Sequence, residues 1–175
     1  MERRNSNVLP IPLSNTEFFQ PKQLILRSTD MASGQKIQIT ITGVQYPVGA
    51  GEDDAVTTVQ KVEAEFFQKG SSHYLFYVEH PEGFPAPVRT RIKLKEGTLE
   101  IHRQGPGGST MFFSPGQSYR TEYPTPYGVL FMDIVTKALE VKPITTEGWP
   151  NVLIEYILQN DGEDMARYKL TIENE

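Results

Sequence analysis

The chain has 175 residues, of which 38% are hydrophobic and 22% are charged, and its formal net charge is −5. This balance fits one folded domain with a full core and excludes an intrinsically disordered chain. The absence of cysteine excludes disulfides, zinc thiolate sites and thiol nucleophiles, and it agrees with a reducing cytoplasm, where we expect the protein to reside.

The charge and hydropathy of the chain also limit its partners. A net negative charge repels phosphate, so the composition predicts no nucleic-acid partner unless a local basic stripe overrides it. No stretch approaches the roughly 20 apolar residues of a membrane-spanning helix, so we also expect no membrane partner.

Residues 1–35 differ in pattern from the rest and are interpreted as an N-terminal arm. A proline-spaced apolar patch, residues 8–13, precedes a capping-box pattern at Ser14-Asn15-Thr16-Glu17 that could start one turn of helix. Either this arm folds onto the body through its apolar side chains, or the compact domain begins near Met31, which could itself start translation. The body is expected to span residues 36–175.

From Lys36 onward the hydrophobic pattern has a period of two. Ile37, Ile39 and Ile41 alternate with polar residues, as in a half-buried strand. Further strands are predicted at 57–68, 73–79, 87–95, 98–104, 109–114, 117–123, 128–136, 137–143, 151–159 and 164–173. No stretch of ten residues after Lys36 has a helical apolar repeat, so the sequence predicts an all-β domain.

The segment Tyr123-Pro124-Thr125-Pro126-Tyr127-Gly128 predicts a stiff corner between two strands. Each proline fixes its own φ and favours extended geometry in the residue before it, whereas glycine tolerates a positive φ. Eleven short strands joined by such tight turns favour an antiparallel meander that closes into a barrel or a strongly bent sandwich.

Several of the predicted strands are apolar on both faces, for example at residues 74–78 and 129–135. The outer side of these strands must be covered, because large exposed apolar patches are uncommon on monomers. The arm is one candidate cover, and a second subunit in a homodimer is the other.

Motifs in the second half of the chain carry a resemblance to a known family. They are Ser109-x-Met111-x-Phe113-x-x-Gly116, Tyr123-x-Thr125-Pro126-Tyr127-Gly128 with Met132, then Thr136, Tyr156 and Arg167-Tyr168-x-Leu170-x-Ile172. With them, residues 36–173 resemble the YwiB-like family of small bacterial proteins of unassigned function. The arm and the loops at 49–54 and 81–87 depart from its pattern.

The resemblance implies a calycin-type, lipocalin-like antiparallel β-barrel large enough to hold one small ligand. It transfers no catalytic residue, because the family has none that are agreed.

Motifs for catalysis or metal binding are weak. His73, His80 and His102 lack the spacing of a metal-binding pair, although His73 and His102 could meet on adjacent strands. The chain has no Gly-x-Ser-x-Gly elbow, and its glycine-rich segment 104–109 lacks the lysine and the helix of a phosphate cradle. Glu63 and Glu65 share one strand face and could act as acid and base, but a solvated outer face explains them equally well. We predict no catalytic residue, metal or cofactor.

Four cations alternate along one predicted strand, at Arg89, Arg91, Lys93 and Lys95. The opposite face is the natural core face, so these cations are expected to point outward and to pair with acidic neighbours such as Glu63 and Glu65. An inward orientation would instead make an anion pocket.

Aromatic, methionine and arginine side chains are the candidates for the barrel lumen. The predicted ligand-binding set is Arg103, Met111, Phe113, Tyr123, Tyr127, Met132 and Tyr156. Three functions stay open: a non-catalytic barrel for a small amphipathic or anionic ligand, a protein-interaction module with a packed barrel, or an enzyme with an acid and a base at the barrel mouth.

Overall fold

The computed structural model describes residues 34–49, 51–80, 85–125, 127–142 and 148–175. The predicted arm falls almost entirely outside these residues. The strands are β1 (Gln35–Pro47), β2 (Val56–Lys69), β3 (Ser72–Glu79), β4 (Val88–Lys95), β5 (Thr98–Gln104), β6 (Thr110–Phe113), β7 (Ser118–Thr125), β8 (Gly128–Lys142), β9 (Asn151–Asn160) and β10 (Glu163–Asn174). Glu52–Asp54 form one 3₁₀ turn. Among the described segments, no helix has the length and apolarity needed to cross a bilayer.

All ten strands belong to one antiparallel sheet with the order β6-β5-β4-β3-β2-β1-β10-β9-β8-β7. Strands that follow one another in sequence therefore pair, except β6 and β7, and β1 also pairs with β10, where Ile39 lies opposite Asn174. The sheet curls so that β6 and β7, its two end strands, approach each other. The fold is a nearly closed antiparallel β-barrel, as the alternating pattern predicted.

The number of strands differs from the predicted eleven, because β8 is one long strand where two were expected. A register shift between Thr136 and Ala138 marks a β-bulge within it. The extra residue at a bulge changes which side chains face inward, so the alternation in the sequence breaks there although the strand continues.

The barrel encloses one continuous apolar core. Large side chains with no exposed surface come from strands all around the barrel: Ile39, Leu75, Leu99, Phe113, Ile134, Ile154 and Ile172. Trp149, just before β9, is also fully buried. This tryptophan was not predicted as a core residue, because it lies in a Gly-Trp-Pro segment that has no strand pattern.

The predicted corner is the hairpin between β7 and β8. Thr125 Oγ1 donates to the Gly128 carbonyl (2.7 Å) and accepts from the Tyr127 amide (3.2 Å). Gly128 has a φ of 131°, a region that L side chains rarely enter, so glycine is favoured at this position.

Candidate functional site

The two ends of the barrel interior differ in polarity. At one end the inward side chains are apolar, for example Leu94, Leu99 and Phe113, which lie opposite one another on β4, β5 and β6. At the other end, called the polar end here, the inward positions of β3, β4 and β5 are held by Glu79, Thr90 and Arg103. A ligand with both polar and apolar groups suits such a gradient.

Glu79 is the centre of the polar end. Its carboxylate accepts from Arg103 Nη2 (2.9 Å) and from Thr90 Oγ1 (3.2 Å), and its side chain is only 11% exposed. Tyr77 lies beside it, and burial, followed by the charge of Glu79, raises the pKa of the Tyr77 phenol well above its usual range. At neutral pH this phenol is therefore a hydrogen-bond donor rather than a base.

The ion pair with Glu79 does not use every hydrogen-bond donor of the Arg103 guanidinium. Its Nε is buried and has no hydrogen-bond partner among the described residues. Buried N–H groups usually have a partner, so this donor marks a position where a polar group would be stabilised.

Three tyrosines line a further part of the barrel interior, on β7, β9 and β10. The rings of Tyr156 and Tyr168 are stacked, with centroids 5.0 Å apart and an interplanar angle of 7°. Burial raises the pKa of both phenols, and the neighbouring Tyr123 contributes to the rise at Tyr168. Phe113 packs against Tyr156 at 5.1 Å, so this wall passes from phenols into the apolar core.

The barrel closes between β6 and β7 without a backbone ladder. Thr121 Oγ1 donates to the Thr110 carbonyl (2.6 Å), and the rings of Phe112 and Tyr119 meet edge to face at 4.6 Å. We call this gap in the ladder the seam. Toward the apolar end it is tied by the turn after β6, where the Gly116 amide donates to the Thr136 carbonyl (3.0 Å).

The predicted lumen residues divide into three groups. Phe113 and Tyr156 are buried in the core, and Met111 is packed against it. Arg103, Tyr123 and Met132 occupy inward positions of β5, β7 and β8, but Tyr123 is 48% exposed.

Tyr127 does not line the lumen. It is 99% exposed, because it sits in the hairpin turn beyond the end of the barrel wall.

Glu79 and Tyr168 were not predicted as lumen residues, whereas Thr90 was expected on the core face of its strand and is buried there. The alternation on β3 that buries Leu75 and Tyr77 places Glu79 on the same inward face, so an acidic residue in phase with a core strand was the available signal. Tyr168 was part of the quoted Arg167-Tyr168 motif, and its stacking partner Tyr156 lies directly opposite it on the neighbouring strand β9.

The basic row on β4 points outward, as predicted, because Val88, Thr90, Ile92 and Leu94 are its buried members. Its acidic partner differs from the predicted one. Arg91 pairs with Glu100 on β5, whereas Glu63 on β2 pairs with Lys36. The reason is the order of strands in the sheet: β5 lies directly beside β4, whereas β2 is two strands away.

The histidines His73 and His102 do not meet. His73 stacks on Phe66 and shares the inward phase of Leu75, whereas His102 lies outward and bonds Thr110 Oγ1 (2.8 Å). Within the described ranges, no three acidic or histidine side chains are grouped as a metal site.

A shallow cleft of about 220 Å³ lies on the outside of the barrel, at the ends of β1, β9 and β10. Arg167 covers the ring of Tyr46 at 4.5 Å there and approaches Glu52 at 3.8 Å. None of the predicted lumen residues lines this cleft. We therefore take the polar end of the barrel as the candidate site.

Comparison with known proteins shows which family the chain belongs to. No curated protein matches the chain. The chain is similar in fold to a solved structure described as the crystal structure of ywiB protein from Bacillus subtilis, with a TM-score of 0.67 and 20% sequence identity over 85% of this chain and 97% of that one. The family model described as "Domain of unknown function (DUF1934)" matches residues 39–172. This match covers most of the barrel, and the protein belongs to that family.

Proposed function

We propose that the protein is a non-catalytic binding barrel that holds a small amphipathic molecule at its polar end. The observation that carries the proposal is the Glu79–Arg103 ion pair inside the barrel, in which the Arg103 Nε is buried without a hydrogen-bond partner among the described residues. Small-ligand sites typically combine apolar walls with a few convergent polar groups of this kind.

Of the two ligand classes expected from the sequence, the ion pair favours an amphipathic molecule with an uncharged polar head. Glu79 offsets the charge of Arg103, so an incoming anion would face a carboxylate as well as a guanidinium. Apolar parts of the ligand would pack on Met111 and Met132, whose flexible side chains adapt to irregular shapes.

The same contacts favour binding over acid–base catalysis. The Glu79 carboxylate already accepts two hydrogen bonds, and the raised pKa of Tyr77 keeps its phenol protonated. Both oxygens of Glu79 are thus engaged by side chains of the barrel wall, which favours a structural or binding role over that of a general base.

Fluorescence titration with two related probes tests the proposal. N-phenyl-1-naphthylamine is uncharged, and 1-anilinonaphthalene-8-sulfonate adds a sulfonate to the same ring skeleton. We expect saturable binding with a preference for the uncharged probe. In the double variant Glu79→Gln/Arg103→Met, which removes both charges together, affinity should fall at least about tenfold, equivalent to about 1.4 kcal/mol.

The matched control is Arg120→Met/Asp133→Asn. This ion pair joins β7 and β8 on the outer surface, with N–O distances of 3.0 and 3.1 Å. Its removal should leave probe affinity unchanged. Equal losses in both double variants, or no saturable binding to the wild type, would contradict a site at the polar end.

A second candidate function, protein interaction, is favoured by the β7–β8 hairpin. Large side chains there are about half exposed on both faces of the hairpin: Tyr123, Val129, Leu130 and Phe131. Exposed apolar patches of this kind often mark contact surfaces. If the expected homodimer forms here, Phe131→Asp should convert it to a monomer in sedimentation velocity, whereas Val141→Asp at the other end of β8 should not.

A further inference from the structure

We propose that the outer face of β3, β4 and β5 is a binding surface for single-stranded nucleic acid. The proposal concerns the outside of the barrel and is independent of the lumen. It depends on three observations: a row of cations, aromatic rings in register with that row, and a shortage of compensating carboxylates.

The cations lie on β4. Arg89, Arg91, Lys93 and Lys95 occupy successive outward positions, so neighbouring charges are about 7 Å apart along the strand. Extended single strands separate their phosphates by a comparable distance. A row of this length can therefore follow a nucleic-acid backbone, with one cation available for each phosphate.

The aromatic rings lie beside the cations on β3. Tyr74 is opposite Lys93, and Phe76 is opposite Arg91. The two rings are stacked with centroids 6.4 Å apart, and the ammonium of Lys93 lies 5.8 Å from the centre of the Tyr74 ring. Both rings are only half-buried, so they present area on which bases could stack.

The charge of this face is only partly compensated. Arg91 pairs with Glu100, the acidic residue that β5 contributes to the face. Among the described residues, Arg89, Lys93 and Lys95 have no carboxylate within ion-pair distance. Glu65 lies at the border, opposite Phe76. A chain of net charge −5 thus concentrates cations on one wall.

The net negative charge of the chain predicted no nucleic-acid partner unless a local basic stripe overrides the repulsion of phosphate. The row of cations on β4 is such a stripe. An acidic protein segment would pair with the cations, but it would gain less from the flat aromatic rings beside them. The combination of rings and cations favours nucleic acid, because bases supply stacking surface and phosphates supply charge.

Fluorescence anisotropy with fluorescein-labelled twelve-nucleotide oligouridine and oligothymidine tests the proposal on the full chain. We expect binding that weakens as salt rises. Arg89→Gln/Lys93→Gln should lower affinity and reduce the slope of log K against log salt by about 1.4, since each lost phosphate contact on a single strand removes about 0.7. The control Lys36→Gln/Lys61→Gln changes the net charge equally on β1 and β2 and should alter neither quantity.

A third variant separates stacking from charge. Tyr74→Leu keeps an apolar side chain but removes the ring, so it should weaken binding about fivefold or more without changing the salt slope. Circular dichroism at matched temperature checks that each variant stays folded.

Three results would overturn the proposal: no oligonucleotide binding at low salt, equal effects of the face and control variants, or equally tight binding of poly-glutamate. The last result would assign the face to acidic protein segments.

Discussion

At the scale of single residues, the buried tyrosines determine how the protein responds to alkaline pH. Tyr156 is 7% exposed, and burial raises the pKa of its phenol. In the unfolded chain the same phenol titrates near pH 10. Above that pH the unfolded state binds fewer protons than the folded state, so the free energy of unfolding must fall as pH rises.

We predict that Tyr156→Phe makes this fall less steep. The neutral phenol contributes its full stability below pH 10 and loses it as pH rises toward the native pKa, by up to about 1.4 kcal/mol per pH unit. Urea unfolding followed by far-UV circular dichroism at pH 8, 10 and 11 measures the change. Tyr127→Phe, at a 99% exposed position, is the control and should match the wild type. Parallel curves for all three proteins would contradict the prediction.

At the scale of elements, the seam is the weakest joint of the barrel. Other neighbouring strands share backbone ladders, whereas β6 and β7 are joined along their length by one hydroxyl and one aromatic pair. β6 has only four residues, which limits the ladder it can form. Local opening should therefore begin at this joint rather than elsewhere in the sheet.

We predict that Thr121→Val loosens the seam. The substitution keeps the side-chain volume but leaves the Thr110 carbonyl without its donor, so the free energy of unfolding should fall by about 1 kcal/mol. Amide hydrogen exchange should become faster in β6 and β7 and stay unchanged in β1 and β10.

Thr98→Val is the control for this prediction. It removes the same kind of bond, from a hydroxyl to the Lys95 carbonyl (2.7 Å), but inside a hairpin whose ladder is intact. Faster exchange at the seam in this control would show that the Thr121 hydroxyl has no special role there.

At the scale of the whole molecule, a single core joins the first and last strands of the barrel. β10 pairs with β1, and Ile172 and Ile92 belong to one buried cluster although they lie on different walls. The barrel should therefore unfold as one cooperative unit, as most single domains of this size do.

We predict that Ile172→Ala and Ile92→Ala each lower the free energy of unfolding by about 2–5 kcal/mol, the usual range for truncating a buried isoleucine. In both variants the unfolding curves from Trp149 fluorescence and from far-UV circular dichroism should coincide. Trp149 reports its surroundings before β9, whereas circular dichroism reports the whole sheet. Separated curves for Ile172→Ala would indicate that the walls unfold independently.

Much of the barrel wall could be derived from the order of the amino acids. Strand alternation is local, so the all-β class, most strand positions, the β7–β8 corner and the outward basic row follow from short stretches of sequence. The bulge in β8 hid the continuity of that strand, because one inserted residue reverses the phase of the pattern.

The contents of the polar end could not be derived in the same way. Arg103 and Tyr156 were expected in the lumen from their residue types, but Glu79 reaches Arg103 across 24 positions of sequence and one intervening strand. Inward side chains on different strands are neighbours only if they lie at the same height along the barrel axis. That height depends on the register of every ladder between the strands, and on how the sheet curls until β6 meets β7. Alternation assigns each residue to a face, whereas only long-range pairing decides its neighbours there.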